Sequence, residues 1–285
     1  MVIEGQAGGL GTIMTAVVVD GPQGKEYRLP TGEEVRLAAD AEKELERVHA
    51  EIPFGLPKDP TPKGGSGASR AFSVDGYGFD QWHKLFTPRQ LLILGTFVKH
   101  TRAARDAMYA EGYPSEWVEA VGAYLALAVD RVANRASTLC IWNMRLQEIE
   151  QTFARFALPI LWDFAESNPL SSASGNYGGE IDRVRLVCAH VAQTSDGDHW
   201  ARIWSQSAKF IALDEIDVIV TDPPYYDAIP YADLMDFFYI WLRRSLHGLS
   251  PEIDQVFVQP LSSKWDHDRM MASSLMMRAA SMGIR

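Results

Sequence analysis

Cysteine is nearly absent from this chain: Cys140 and Cys188 are the only two, and no Cys-x-x-Cys pair exists. A structural zinc site and a disulfide framework are therefore unsupported. Long apolar runs are missing too. No stretch approaches the roughly 18–20 residues that a membrane span needs. The start, MVIEGQAGGL, has neither the basic flank nor the continuous apolar segment of a signal peptide. Unpaired cysteines without an export signal point to the cytoplasm. Positive charge is scarce, since 27 Lys and Arg against 37 Asp and Glu leave a net charge of −10. That balance argues against a general nucleic-acid binder but leaves room for a local groove. The best basic strip is Lys99, His100, Arg102 and Arg105, on consecutive helical turns. Internal repeats are absent as well. What remains, 47% hydrophobic and 22% charged residues, suits a globular chain with one large or two small cores.

Along the chain, Thr15–Val19 and Glu26–Leu29 flank a turn-rich segment and predict a β-hairpin with a longish loop. Thr31, followed three residues later by Glu34, predicts a capping box and a polar helix to about residue 50. Residues 52–70 hold four prolines and a Gly-Gly-Ser-Gly run, the composition of a linker or irregular loop. A helix is expected from Thr87-Pro88 to about Glu111, and a second from Pro114-Ser115 to about Asn134. Further helices are expected over Thr152–Glu166, interrupted near Pro159, and over Ile181–Gln193. The middle is thus helical, with strand content concentrated after residue 200. This divides the chain into 1–70, a helical region 71–195, a candidate catalytic region 196–262 and a frayed tail 263–285.

The most informative feature is Asp222-Pro223-Pro224-Tyr225, which follows the apolar run Ile216–Val220. A β-branched run of this kind reads as a buried parallel strand, and the two prolines end it because neither can donate to a ladder. In an open α/β sheet, ligands bind beyond the carboxyl ends of the strands. Asp222 offers a carboxylate, and Pro223 a carbonyl stiffened by the ring of Pro224. Two adjacent acceptors suit a planar NH2 group, which has two hydrogens to donate. Tyr225 offers a face for a planar ring, and Tyr226 and Tyr231 are plausible further walls. Asp-Pro-Pro after a strand also makes ordinary turns, so the context has to decide. Downstream, Tyr231–Leu246 reads as one helix with Leu234, Phe237, Phe238, Trp241 and Leu242 on its apolar face, a core stripe. Asp233 and Asp236 read as dipole-matched polar residues, Arg243 and Arg244 as a solvated surface at the last turn, and Gly248 as the stop.

Asp222–Tyr225 resembles the catalytic motif of S-adenosylmethionine-dependent amino methyltransferases that modify adenine N6 or cytosine N4 in DNA. The longer stretch TDPPYYDAIPYADLMDFFYIWLRRSL is similar to the family of adenine-specific DNA methylases containing a zinc ribbon. LFTPRQLL (85–92), STLCIWN (137–143) and TFARFALPILWDFAESNP (152–169) are similar to that family too. The resemblance implies an α/β chain: part of a Rossmann-like methyltransferase sheet with a large, mostly helical domain in front. It also implies S-adenosylmethionine as cofactor, duplex DNA with a flipped base as partner, and direct methyl transfer to an amine held by Asp222 and Pro223. Ser207 and Asp222 would touch the cofactor, and Trp162–Pro169 would line the site. Capping of a helix end is the alternative for Trp162–Pro169.

Other expected parts are missing. The glycine-rich loop that lets a cofactor approach the backbone should follow a strand and open a helix. Gly5, Gly8, Gly9 and Gly11 instead precede the strand-like Ile13–Val19, and Gly175, Gly178 and Gly179 lie between helical patterns. The expectation is a piece of a longer enzyme, whose cofactor half lies in an N-terminal portion or in another chain. The alternatives are a non-catalytic helical interaction module or inactive fragment, or an enzyme acting on RNA or a protein amide. The protein-amide enzymes usually carry asparagine where Asp222 stands. His83, His190, His199 and His267 show no ligand spacing, and Ser137 and Cys140 have no placed base.

Overall fold

The computed structural model describes residues 1–194, 217–222 and 229–257. Seven α-helices and two small antiparallel hairpins make up its regular structure, a mixed α/β content dominated by helices. After the short α1 (Val2–Gln6), β1 (Val17–Gly21) and β2 (Gly24–Arg28) pair in register from Val17↔Arg28 to Gly21↔Gly24. The hairpin therefore turns on Pro22 and Gln23 alone, tighter than the loop expected. Gly24 takes φ 123°, a backbone open to glycine.

α2 (Gly32–Ala50) starts where Thr31 and Glu34 form the expected capping box. Arg28 then clamps the Glu34 carboxylate at 2.6 and 2.9 Å. That pair, with the Thr31 backbone N–H, pulls the Glu34 pKa down to about 2. α3 (Pro88–Ala110) opens on a second box: Thr87 Oγ1 accepts from Gln90 N, and Gln90 Oε1 accepts from Thr87 N at 2.8 Å. Gly112, at φ 81°, closes its C-terminal end and admits α4 (Ser115–Ala133). α3 packs on α2, α4 and α6 (Tyr231–Leu246), and α4 packs also on α5 (Tyr177–Thr194) and α6. α7 (Pro251–Phe257) follows. Among the described residues no helix is long and apolar enough to cross a membrane.

The core is built where α3, α4 and α6 meet the 3₁₀ turn Trp82–Leu85. Phe237 is its hub, stacked on Phe86 at 5.6 Å and edge-on to Trp82 and Phe153 at 6.1 and 5.2 Å. The stripe on α6 is therefore core packing, as its spacing implied. Burial of each such ring contributes roughly 1.5–3 kcal/mol.

Three expectations need correction. Residues 152–166 form no helix. Pro159 removes a donor there, and the neighbouring backbone is satisfied elsewhere: Leu158 N donates to Ala71 O, and Ser73 N to Leu158 O. Residues 52–70 are irregular as expected, yet they pack against the body. Thr61 donates to Phe79 O and Asp80 O, and Trp82 N donates to Asp59 O. Finally, the described strands all precede residue 150. Residues 217–220 are exposed and outside any strand, where a buried parallel strand was expected. Among the described residues no strand pairs with this segment, and β propensity without a packed neighbour is weak.

Candidate functional site

The candidate site hangs on α6. Below its apolar face, two arginines that read as solvated in the sequence are buried. Arg244 is fully enclosed, donating to Gly55 O (2.7 Å), Phe54 O (3.2 Å) and Ile240 O (2.6 Å). Burial first, then the neighbouring Arg243, pulls its pKa down to about 9, which leaves it charged at neutral pH. Arg243 pairs with Asp59, and its guanidinium lies 4.7 Å from the centre of the Phe54 ring. Both arginines are thus drawn into the 54–59 loop, because that irregular stretch leaves carbonyls and a carboxylate in need of donors.

The basic strip on α3 serves the same helix. Arg102 donates to His247 O at 2.6 Å and Arg105 to the same oxygen at 3.2 Å, covering carbonyls that the C-terminal end of α6 leaves open. Lys99 pairs with Glu51. Asp233 and Asp236, expected as dipole-matched polar residues, are buried. The C-terminal half of α6 is therefore pinned by the 54–59 loop and by α3.

Asp222 sits at the end of the exposed segment 217–222 and is itself exposed. Val218, Ile219 and Val220 ahead of it are 75%, 73% and 89% exposed. Tyr231 is the first residue of α6, 45% exposed, its ring 6.5 Å from that of Phe156. Ser207, Pro223, Pro224, Tyr225 and Tyr226 lie outside the described residues. Of the predicted site residues, the description therefore covers Asp222 and Tyr231.

Several of the glycines that might cradle a cofactor are otherwise engaged. Gly5 and Gly78 touch backbone to backbone, so tightly that a Cβ on Gly78 would stand 2.1 Å from Gly5 O. Gly175 has φ 82°, and its missing Cβ makes room for the Arg135 side chain. Asn176 then caps α5 by accepting from Gly179 N at 2.7 Å. These glycines serve packing and capping, while Gly8 and Gly11 face open space. Among the described residues no strand leads through a glycine-rich loop into a helix, the arrangement a cofactor cradle uses.

Other sequence candidates are structural. Ser137 Oγ lies 2.8 Å from Thr152 Oγ1 and 3.6 Å from Cys140 Sγ, all three buried, with no base among their partners. Trp162–Pro169 ends no helix; instead Glu166 takes both Nε and Nη2 of Arg89, at 3.0 and 2.7 Å. Among the described residues no three His, Cys, Asp or Glu side chains form a group that could hold a metal ion. The sequence reading missed one cluster altogether: Glu180, buried at the start of α5, meets Arg131 in the last turn of α4, Arg135 just beyond it and Arg183 from its own helix. The signal was the four-residue spacing of Arg131 and Arg135 beside the three-residue spacing of Glu180 and Arg183. Comparisons with family models, curated proteins and solved structures find no match to this chain.

Proposed function

We propose that this chain carries the target-binding part of an S-adenosylmethionine-dependent amino methyltransferase acting on DNA, with adenine N6 the favoured acceptor. The observation that carries the reading is Asp222-Pro223-Pro224-Tyr225, placed after a β-branched run and just ahead of a firmly anchored α6. The roles follow from chemistry. The Asp222 carboxylate and the Pro223 carbonyl accept the two N–H hydrogens of the amine, which favours a pyramidal nitrogen with its lone pair exposed. Tyr225 stacks on the base, with Tyr226 and Tyr231 as further walls. A paired base cannot reach such a pocket and has to be extruded from the duplex. In this reading the Rossmann-like sheet and the cofactor cradle belong to residues outside those described, in this chain or in a partner. Aspartate at position 222 favours a nucleobase over a protein amide.

The predominantly helical body, without a cofactor cradle among the described residues, favours a second reading: a non-catalytic interaction module. The test uses oligonucleotide duplexes with one unpaired adenine, or with an unpaired purine that lacks the 6-amino group. The methyltransferase reading expects the chain to prefer adenine by about 10-fold or more, the value of hydrogen bonds to a charged acceptor. Asp222→Ala should erase the preference. Equal affinity of the wild-type chain for the two duplexes would refute the reading and leave the interaction module. Calorimetric titration of S-adenosylmethionine separately decides whether this chain holds the donor.

A further inference from the structure

One carboxylate in this molecule is surrounded by more positive charge than it needs. Glu180, in the first turn of α5, is 2% exposed. Arg131 Nε reaches its Oε2 at 2.5 Å, Arg135 Nε its Oε1 at 3.6 Å and Arg183 Nε its Oε2 at 3.7 Å. One guanidinium would neutralise it, so three leave a local surplus of about two charges in a chain whose net charge is −10. The N-terminal end of the 18-residue α5 adds its positive dipole at the same place.

The three arginines are not equivalent. Arg135 is enclosed and spends Nη1 on Ile149 O at 2.8 Å, a structural role. Arg131 and Arg183 are 42% and 59% exposed at the side chain. Among the described residues Arg131 makes one hydrogen bond, through Nε, which leaves its two Nη groups available to a ligand. The nearest acidic neighbour along α5, Asp182, is taken up by Arg185 at 3.1 Å. Glu148 and Glu150 line a shallow cavity of about 240 Å3 that Arg135 also lines. The buried carboxylate thus holds one exposed guanidinium by a hydrogen bond, that of Arg131, and draws a second, that of Arg183, as a looser ion pair at 3.7 Å. A fork fixed in this way loses less entropy when it pairs bidentately with an anion.

We propose that Arg131 and Arg183, held by Glu180, contact the phosphodiester backbone of the nucleic acid. The shared chemistry is a phosphate oxygen pair. The open, two-pronged surface suits successive phosphates of a polyanion better than a free phosphate ion, which an enclosed pocket would hold. The proposal rests on the reading of a nucleic-acid substrate, but places its grip on the α4–α5 face, apart from Asp222.

The test is the salt dependence of duplex DNA binding by the full chain, by fluorescence anisotropy between 50 and 200 mM salt. Each phosphate contact contributes about 0.9 to the slope of log K against log salt. Arg131→Gln/Arg183→Gln should therefore lower the slope by about 1.8, each single variant by about 0.9, and Arg185→Gln by much less. Both arginines are exposed, and thermal melts would confirm that the variants fold. Inorganic phosphate at constant ionic strength should not displace the duplex; displacement at millimolar phosphate would reassign the site to a free anion and overturn the proposal. Slopes equal to wild type would also overturn it, as would no duplex binding at all. Asp222→Ala should leave the slope intact while erasing the adenine preference, so failure here and failure of the methyltransferase reading are distinguishable.

Discussion

Replacing Arg244 by methionine isolates the contact that fixes α6. Methionine keeps much of the buried stem and removes the guanidinium, so the cavity left is small and the polar loss dominates. Two carbonyls outside the helix, Gly55 O and Phe54 O, lose donors at 2.7 and 3.2 Å. Orphaning or weakening a buried acceptor costs about 1–3 kcal/mol each. Against this, the variant no longer has to bury a charge, whose effective penalty is several kcal/mol. The guanidinium is well satisfied, so most of that penalty is already offset in the native state. The expected net loss is about 2–4 kcal/mol, a large share of a total stability of about 5–15 kcal/mol. In a chain of this size that corresponds to a melting-temperature drop of about 5–15 °C. Urea denaturation followed by tryptophan fluorescence would read it, since Trp241 and Trp82 report on the same core. Arg244→Lys should fall between, because an ammonium satisfies fewer carbonyls in fixed geometry than a fork. A loss below about 1 kcal/mol for the methionine variant would refute the reasoning, and with it the claim that the 54–59 loop anchors α6.

Two further predictions concern buried titratable groups. Asp130 is enclosed in α4 with Oδ1 lacking a hydrogen-bond partner, and burial pushes its carboxyl well above the usual range. The folded chain therefore holds a proton that the unfolded chain releases above about pH 4, so stability falls as pH rises through the folded pKa. Asp130→Asn should abolish that fall, its advantage over wild type growing from pH 5 to pH 8 in urea titrations; parallel curves would reject the idea. His49 is the opposite case: burial lowers its pKa, with Nε2 3.2 Å from Leu91 O. Its contribution is fully present above about pH 6.5 and is lost as pH falls through the folded value. His83 is shifted the same way, by burial first, so His49→Gln should flatten only part of the decline between pH 6.5 and 5, and His49→Gln/His83→Gln more of it.

Much of the helical body was legible in the sequence because its signals are local. Thr31 with Glu34, and Pro88 after Thr87, announced their helices, and the apolar spacing on α6 marked the face that is buried. What failed was decided by distant partners. Nothing within Thr152–Glu166 shows that Leu158 pairs with the 71–73 stretch instead of continuing a helix. Arg243 and Arg244 look like ordinary last-turn cations until the 54–59 loop, 189 residues from Arg244 at Gly55, presents carbonyls and Asp59. The same holds for Arg102 and Arg105, which a helical wheel offers to phosphate and the fold gives to His247 O. The surplus at Glu180, in turn, required knowing that α4 and α5 meet.

The segment that leads to Asp222 sets the sharpest physical constraint. Val218, Ile219 and Val220 are consecutive, and alternate residues of an extended chain point to opposite faces. Such a segment presents apolar side chains on both sides, so a one-sided sheet with water over the other face cannot satisfy it. It needs neighbouring strands for its N–H and C=O groups and cover above and below, the setting in which continuous β-branched runs occur. The described residues supply neither the ladder nor the cover. Full burial would contribute roughly 1.5–3 kcal/mol for each of these side chains, a strong drive toward pairing with a sheet edge. Asp222 would then be fixed at the carboxyl end of a covered strand instead of at the end of an open one. Under the proposed function, the neighbours that would cover this segment would also fix the carboxylate that orients the amine.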